Sequence, residues 1–271
     1  MPDQNCTQCT TTYTPCDTLT LYGRAVIKDV GLCPECRNAV AAERQKQEAL
    51  VAVQDTANRR RTLLEDCGMP PEYHRRNFST WKYRTPELDK VYQACVNYAE
   101  EFPIGQRPVG YRSLYLWSEN HAVGTGKTHL AAGIVHEIYN RWKGEDHSPF
   151  ILWYSEPRLF AAIQATFNYT EEEQGTHVSA STILKGVAHC DLLVLDDTGK
   201  ERRANKEFLQ RTMFDIIDQR DGLGLPILLT GNLNATQLKI HLGEASYSRF
   251  FASCKGRAAE MGGGDYRQEK G

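Results

Sequence analysis

Residues 117–130, WSENHAVGTGKTHL, contain the residue types that bind the phosphates of a nucleotide. In such a loop, backbone N–H groups surround the phosphates, a lysine reaches the β- and γ-phosphates, and the next hydroxyl binds Mg²⁺. Gly126, Lys127 and Thr128 match the end of the G-x-x-x-x-G-K-[ST] pattern, but His121 stands where its first glycine is expected. That glycine belongs to the turn that follows the strand, farther from the γ-phosphate. We therefore predict a loop that binds ATP with Mg²⁺, against the alternative of a chance match in an ordinary turn.

Two apolar runs end in polar side chains that would complete such a site. DLLVLDD (191–197) ends in Asp196 and Asp197, and PILLTGN (226–232) ends in Asn232. Ligands of parallel sheets bind at the carboxyl ends of the strands, so these side chains are expected near the loop. Asp196 is predicted to hold Mg²⁺ together with Thr128. Asp197 is predicted to polarise the attacking water, and Asn232 to orient it.

Two arginines are candidates for contact with the γ-phosphate. Arg249, in ASYSRFF, is predicted to lie on a helix and to enter the site of a neighbouring subunit, where it would stabilise the transferring phosphoryl group. The alternative is an ordinary surface arginine. Arg267, in the DYR of the last residues, is a weaker second candidate for a phosphate sensor.

Five of the nine cysteines fall within the first 36 residues. Cys6 and Cys9 form one C-x2-C pair, and Cys33 and Cys36 form a second. Two such pairs predict a tetrahedral, four-thiolate Zn²⁺ site of the structural kind. Cys16 is a fifth candidate, either as a substitute ligand or as a free thiol. The alternative is a set of redox-active or incidental cysteines.

The elements around these motifs predict an α/β fold with a small module in front of it. Residues 38–66 contain no Gly or Pro and many strong helix formers, which predicts a helical linker. From residue 114 onward, short runs that are apolar at every position alternate with helical periodicity, which indicates a parallel sheet between layers of helices. We therefore predict a zinc-binding module at 1–37, the linker at 38–66 and an ATPase domain at 67–271.

The composition limits the classes of protein to consider. Hydrophobic residues make up 41% of the 271 residues and charged residues 24%, which is typical of a globular protein. No run approaches a membrane span, and the polar N-terminus lacks the apolar stretch of a secretory signal, so a cytoplasmic location without membrane association is expected. The net charge of −2 indicates that any nucleic-acid contact uses a local patch.

The order of these motifs resembles the AAA+ helicase loaders of the DnaC/DnaI type. The resemblance covers about residues 65–271 and is carried by five segments: VGTGKTHLA (123–131), LLVLDD (192–197), TGNLNATQL (230–238), SRF (248–250) and GGDYR (263–267). It implies an AAA+ P-loop NTPase core. The ATP-binding residues that it implies are Val123, Gly124, Thr125, Gly126, Lys127, Thr128, His129 and Arg267.

The resemblance also implies a function. It implies ATP-regulated delivery of a ring-shaped, DnaB-like replicative helicase onto single-stranded DNA, with AAA+ domains that assemble side by side and an N-terminal module that contacts the helicase. Asp197 stands where many AAA+ proteins have Glu, so we expect a slow, regulatory ATPase. Two alternatives stay open: a transposition ATPase of the IstB type, and a non-hydrolysing, zinc-containing DNA-binding adaptor.

Contacts with DNA are the least defined part of this prediction. Basic residues that follow the second motif or flank the preceding helices are candidates for phosphate contacts, and solvated surface is the alternative for each. The candidates are Arg158, Lys185, Arg202, Arg203 and Lys206.

Overall fold

The computed structural model describes residues 3–14, 18–21, 24–27, 31–82, 85–119, 124–144, 147–166, 179–200 and 206–262. Backbone contacts divide the chain into two compact units, Met1–Asn58 and Arg59–Gly271. One continuous helix, α1 (Pro34–Asp66), occupies the region where a helical linker is predicted, and its first turn already contains Cys36. The predicted domain boundaries stay predictions.

The first unit combines short hairpins with the start of α1. Its strands are β1 (Gln4–Asn5), β2 (Thr12–Tyr13), β3 (Thr18–Leu21) and β4 (Arg24–Ile27), paired antiparallel as β1–β2 and β3–β4. Among its described side chains, the buried apolar cluster consists of Cys6, Tyr13 and Cys33, with Leu32 and Cys36 packed against it. So small a cluster indicates that this unit depends on something other than a hydrophobic core for its order.

A five-stranded parallel sheet forms the centre of the second unit, in the order β6-β7-β8-β5-β9. Its strands are β5 (Leu114–Trp117), β6 (Ile151–Ser155), β7 (Leu192–Thr198), β8 (Ile227–Gly231) and β9 (Ala258–Glu260). The helices are α2 (Pro86–Glu101), α3 (Lys127–Arg141), α4 (Glu156–Ala165), α5 (Ala180–His189), α6 (Lys206–Leu223), α7 (Ala235–Leu242) and α8 (Glu244–Cys254).

Helices cover both faces of this sheet, which explains why its strands are apolar at every position. On β7, Leu192 and Val194 pack in the cluster that contains α2 and α3. Leu193 and Leu195 pack on the other face, in the cluster that contains α4, α5, α6, α7 and α8. The alternation along one strand therefore confirms the predicted α/β class with a parallel sheet between helices.

The strand β9 is an element that the sequence does not predict. Its residues, Ala258 to Glu260, are poor strand formers and lie shortly before three consecutive glycines, Gly262 to Gly264. The strand forms because the edge of β5 is available: Tyr115 N donates to Arg257 O at 3.0 Å, and Met261 N donates to Trp117 O at 2.7 Å. Tertiary pairing thus overrides local propensity here.

A helix that spans a membrane needs about 20 predominantly apolar residues. Within the described ranges, no helix combines that length with that apolar character.

Candidate functional site

The phosphate loop connects β5 to the first residue of α3. Gly124 and Gly126 have φ values of +80° and +91°, which lie in the left-handed region that glycine adopts without strain. Gly126 is the N-cap of α3, so the unpaired N–H groups of the first helical turn face the loop and form an anion site. A Cβ on Gly126 would collide with the ring of Trp81. The local geometry therefore requires glycine at this position independently of any ligand.

Lys127 is buried and directed toward the ends of two neighbouring strands. Its Nζ donates to Ser118 Oγ at 2.5 Å and to Thr125 Oγ1 at 3.2 Å. Ser118 Oγ in turn donates to Asn232 Oδ1 at 3.2 Å. Strands β5 and β8 are paired with Trp117 opposite Gly231, which places the next residues, Ser118 and Asn232, side by side. Ser118 therefore links Lys127 to the predicted sensor Asn232 through hydrogen bonds.

The hydroxyl and the carboxylate predicted to hold Mg²⁺ are adjacent. Thr128 Oγ1 donates to Asp196 Oδ1 at 3.0 Å, and Thr230 Oγ1 donates to the same oxygen at 2.5 Å. Burial raises the pKa of Asp196 from 3.8 to about 6, and the nearby charge of Asp197 adds to this rise. A hydroxyl beside a buried carboxylate is an all-oxygen donor set of the kind that Mg²⁺ prefers, so these residues fit the ion.

Asp197 lies on an irregular part of β7. The pairing of β7 with β8 shifts register between Leu195 and Thr198, and Asp197 has a φ of +60°, which is uncommon for a residue other than glycine. Its backbone N donates to Thr230 Oγ1 at 3.1 Å. Its carboxylate forms an ion pair with Lys200 at 2.7 Å. The bulge thus directs Asp197 and the neighbouring Asp196 differently: Asp196 is buried, and Asp197 is about a third exposed.

One open pocket contains most of these groups. It is lined by Tyr73, Arg76, Gly124, Thr125, Gly126, Lys127, Thr128, His129, Asp197, Lys200 and Asn232. Tyr73, Arg76 and Lys200 were not predicted from the sequence. Tyr73 and Arg76 follow Pro70 and Pro71, which end a helix because proline cannot continue one, and no spacing relative to the loop indicates that they line a pocket.

His129 connects the pocket to the segment before α2. Its Nε2 lies 3.0 Å from Asn77 O and 3.1 Å from Thr80 Oγ1, and its ring makes an edge contact with Trp81. Burial lowers the pKa of His129, which favours the neutral ring at neutral pH. This side chain lines the pocket and also holds residues 77–81 against α3.

Arg249 lies on α8, as the sequence predicts, and it is engaged within its own chain. Its Nε is 3.0 Å from Asp218 Oδ1, and its guanidinium stacks 5.2 Å from the ring centre of Phe214. Within the described residues, Arg249 is not part of the pocket lining. A site shared with another subunit and a surface arginine both stay open for it.

The other predicted site residues fall into two groups. Arg158, Lys185 and Lys206 are exposed, as contact with DNA phosphates would require. Five lie outside the described residues: His121, Val123, Arg202, Arg203 and Arg267. Cys16 also lies outside them.

The four paired cysteines converge in the first unit. Sulfur atoms of Cys6, Cys9, Cys33 and Cys36 all lie within 4.8 Å of one another, and Cys9 Sγ is 3.6 Å from Cys33 Sγ. A hydrogen bond from the backbone of Cys33 is the largest of several that lower the pKa of Cys6 to about 6. Two C-x2-C pairs whose four sulfur atoms converge are the donor set of a structural zinc site, so the cluster fits Zn²⁺.

Known proteins resemble this chain at the level of single relatives and of solved structures. No family model matches the chain. The replicative helicase loader DnaC of Escherichia coli K12 is 25% identical over 211 residues, which cover 77% of this chain and 74% of DnaC.

Solved structures give the fold. A DnaI structure aligns with a TM-score of 0.54 and 22% identity over 73% of this chain and 93% of that one. A structure of the DnaC helicase loader aligns with a TM-score of 0.55 and 19% identity, over 71% of this chain and 100% of that one. A structure of AMPPCP-bound DnaA from Aquifex aeolicus aligns with a TM-score of 0.50 and 20% identity, over 71% of this chain and 51% of that one. The chain thus has the AAA+ fold and resembles the helicase loaders of the DnaC/DnaI type, as the motifs predicted.

Proposed function

We propose that this protein is an ATP-dependent loader that delivers a ring-shaped replicative helicase onto single-stranded DNA. The observation that carries the proposal is the pocket in which Lys127, the Thr128–Asp196 pair and Asn232 meet at the carboxyl edge of the sheet. The similarity to DnaC over most of both chains supports helicase loading as the use of that pocket.

Binding of ATP would use the loop and the first turn of α3. Backbone N–H groups from Gly124 to Thr128 would donate hydrogen bonds to the phosphate oxygens, and Lys127 would exchange its bond to Ser118 for one to a phosphate oxygen. Thr128 and Asp196 would hold Mg²⁺, which neutralises phosphate charge when bound. With a pKa raised to about 6, this carboxyl is largely ionised at neutral pH, and a bound cation would offset the cost of its buried charge.

Hydrolysis would depend on Asp197 and Asn232. Asp197 accepts a proton from the attacking water, and Asn232 orients that water with its side-chain amide. Two features support a slow reaction. Aspartate is one methylene shorter than the glutamate of many AAA+ proteins, and Lys200 already occupies the Asp197 carboxylate at 2.7 Å. A slow ATPase fits a protein that uses hydrolysis to time one loading step better than a protein that hydrolyses ATP continuously to move along DNA.

Assembly of several chains would supply Arg249. In the single chain, Asp218 and Phe214 hold this arginine away from its own pocket. A neighbouring AAA+ domain that offers a γ-phosphate competes for the same guanidinium with a stronger, more highly charged acceptor. We propose that Arg249 acts across such an interface, so that turnover depends on self-assembly.

The cysteine module would contact the helicase. Four converging cysteine sulfur atoms and a minimal apolar cluster support a unit whose folding depends on Zn²⁺. This module also distinguishes the loader from the IstB-type ATPase, which usually lacks such cysteines. A non-hydrolysing adaptor is less well supported, because Lys127, Thr128 and Asn232 line one pocket and Thr128 also donates to Asp196.

Two measurements test the proposal. Phosphate release from ATP, with and without single-stranded DNA, should show slow turnover that Lys127→Ala abolishes; absence of nucleotide binding by the wild type would favour the adaptor. Affinity capture with a purified DnaB-like ring helicase, against a purified transposase, separates the loader from the transposition ATPase. Preferential retention of the transposase would overturn the proposed function.

A further inference from the structure

Glu156 is a buried carboxylate outside the nucleotide pocket. It is the first residue of α4, directly after the carboxyl end of β6, and its side chain has no exposed surface. A buried carboxylate is costly unless it is paired and hydrogen-bonded, so its partners indicate what it holds in place. Its position in the first turn of α4 adds a favourable interaction with the helix dipole.

Two partners bind Glu156, and they come from different elements. Gly199 N, in the loop after β7, donates to Glu156 Oε2 at 2.8 Å. His241 Nε2, on α7, lies 2.8 Å and 3.0 Å from the two carboxylate oxygens. Glu156 therefore connects the end of β6 to the loop that follows Asp197 and to α7.

The loop held by Glu156 is the one that sets the conformation of Asp197. Asp197 has a φ of +60° and Gly199 a φ of +89°, so two residues within three positions adopt the left-handed region. On its other side the loop packs against Leu233, since a Cβ on Gly199 would lie 2.6 Å from Leu233 Cδ1. An uncommon backbone conformation persists only where the surroundings fix it, and here Glu156 and Leu233 fix it from two directions.

We propose that Glu156 is a positioning residue: it holds residues 197–200 so that the Asp197 carboxylate faces the pocket, and His241 orients Glu156. It acts through the Gly199 N–H and does not line the pocket among the described residues. Loss of this bond should release the loop while leaving the phosphate-binding residues of α3 in place. The consequence for turnover rests on the proposed ATPase; the consequence for loop order does not.

Strand β7, which ends at the loop held by Glu156, offers a matched control at its other end. Asp191, just before β7, is a buried carboxylate whose Oδ2 lies 2.8 Å from His147 Nε2 and accepts from Phe150 N at 2.9 Å. Like Glu156, it has a histidine and one backbone N–H as partners, and it also has Arg107, whose Nε lies 3.6 Å from Asp191 Oδ1. Asp191→Ala should therefore perturb stability in a similar way without affecting the loop after Asp197.

The experiment compares Glu156→Ala, Glu156→Gln and Asp191→Ala by hydrogen exchange of the peptide that covers residues 196–200. Exchange in nucleotide-free protein should accelerate about tenfold or more in Glu156→Ala, and stay near wild type in Asp191→Ala. Glu156→Gln should keep most of the protection, because its amide oxygen can still accept from Gly199 N. Equal exchange in Glu156→Ala and wild type would overturn the proposal.

Turnover provides the second readout. In Glu156→Ala, kcat should fall about tenfold or more while the Kd for Mg-ATP stays within about twofold, since misplacement affects the reacting group rather than the phosphate loop. A similar fall in Asp191→Ala would indicate a general loss of stability and overturn the positioning role. If the wild type hydrolyses no ATP, the proposed ATPase fails, and the exchange experiment still decides whether Glu156 holds the loop.

Discussion

Replacing Asp196 by asparagine should stabilise the protein in the absence of nucleotide and Mg²⁺. The folded-state pKa of Asp196 is raised from 3.8 to about 6, so the native state binds this proton more tightly than the unfolded chain does. Stability is therefore lost as the pH rises from the unfolded pKa to the folded one, and the loss is complete above the folded pKa. At about 1.36 kcal/mol per pKa unit, ionised Asp196 costs the native state about 3 kcal/mol at about pH 8.

Asparagine removes this cost and keeps the hydrogen bonds. Its amide oxygen can still accept from Thr128 Oγ1 and Thr230 Oγ1, which both donate to Asp196 Oδ1. Denaturant unfolding at about pH 8 should show Asp196→Asn more stable than wild type by about 3 kcal/mol, and at about pH 4.5 by only about 1 kcal/mol.

The control is Asp197→Asn, which removes a partly exposed ion pair with Lys200 and should change stability by less than about 1 kcal/mol. A variant at position 196 that is less stable than wild type at both pH values would refute the reasoning. So would a difference that does not change with pH. Asp196→Asn should also abolish the stabilisation that Mg-ATP gives the wild type, because an amide is a weaker ligand for the cation than a carboxylate.

Four further predictions concern nucleotide binding, catalysis and the metal. Lys127→Ala should lose measurable ATP binding in calorimetry while its circular dichroism stays unchanged. Asp197→Asn should bind ATP but stop phosphate release, because the water loses its proton acceptor. Arg249→Ala should also stop turnover, and mixing it with Lys127→Ala protein should restore part of it if the arginine acts on a neighbouring subunit. Wild type should carry about one Zn²⁺ per chain, and replacing Cys6 and Cys9 by serine should release it and make residues 1–37 sensitive to protease.

These predictions have specific controls and contrary outcomes. Recovery at no mixing ratio would argue that Arg249 works within its own chain or has no role in turnover. Cys16→Ser should retain the metal; its loss there, with retention in Cys6→Ser, would overturn the assignment of the ligands. His121→Gly should leave ATP affinity nearly unchanged, and a large gain would show that the first glycine of the loop matters more than its position suggests.

The sheet and its edge could be predicted because each strand carries its own signal. A run that is apolar at every position, as in LLVL of β7, indicates burial on both faces, and a polar residue after it indicates the ligand edge. Asp196 and Asn232 were identified in this way, and the structure brings both to the ends of neighbouring strands. Local sequence sufficed there because the topology of parallel strands fixes the direction of every strand.

Features that depend on contacts between distant segments could not be predicted. Arg76 lines the pocket because Asn77 and Thr80 hold its segment against His129, about 50 residues away in the chain. Glu156 looks like an ordinary acidic residue at the start of a helix until Gly199 N is found 2.8 Å away. No periodicity or spacing encodes such pairings.

Loading of a helicase onto circular single-stranded DNA tests the central claim most directly. A purified DnaB-like ring helicase is mixed with DNA circles that have no free end, with ATP and Mg²⁺, and the helicase that stays on the circles after a high-salt wash is measured. Wild-type protein should markedly increase the amount of retained helicase, and Lys127→Ala and the Cys6→Ser, Cys9→Ser variant should give no increase. Equal retention with and without the protein, or an equal gain with Lys127→Ala, would contradict that claim.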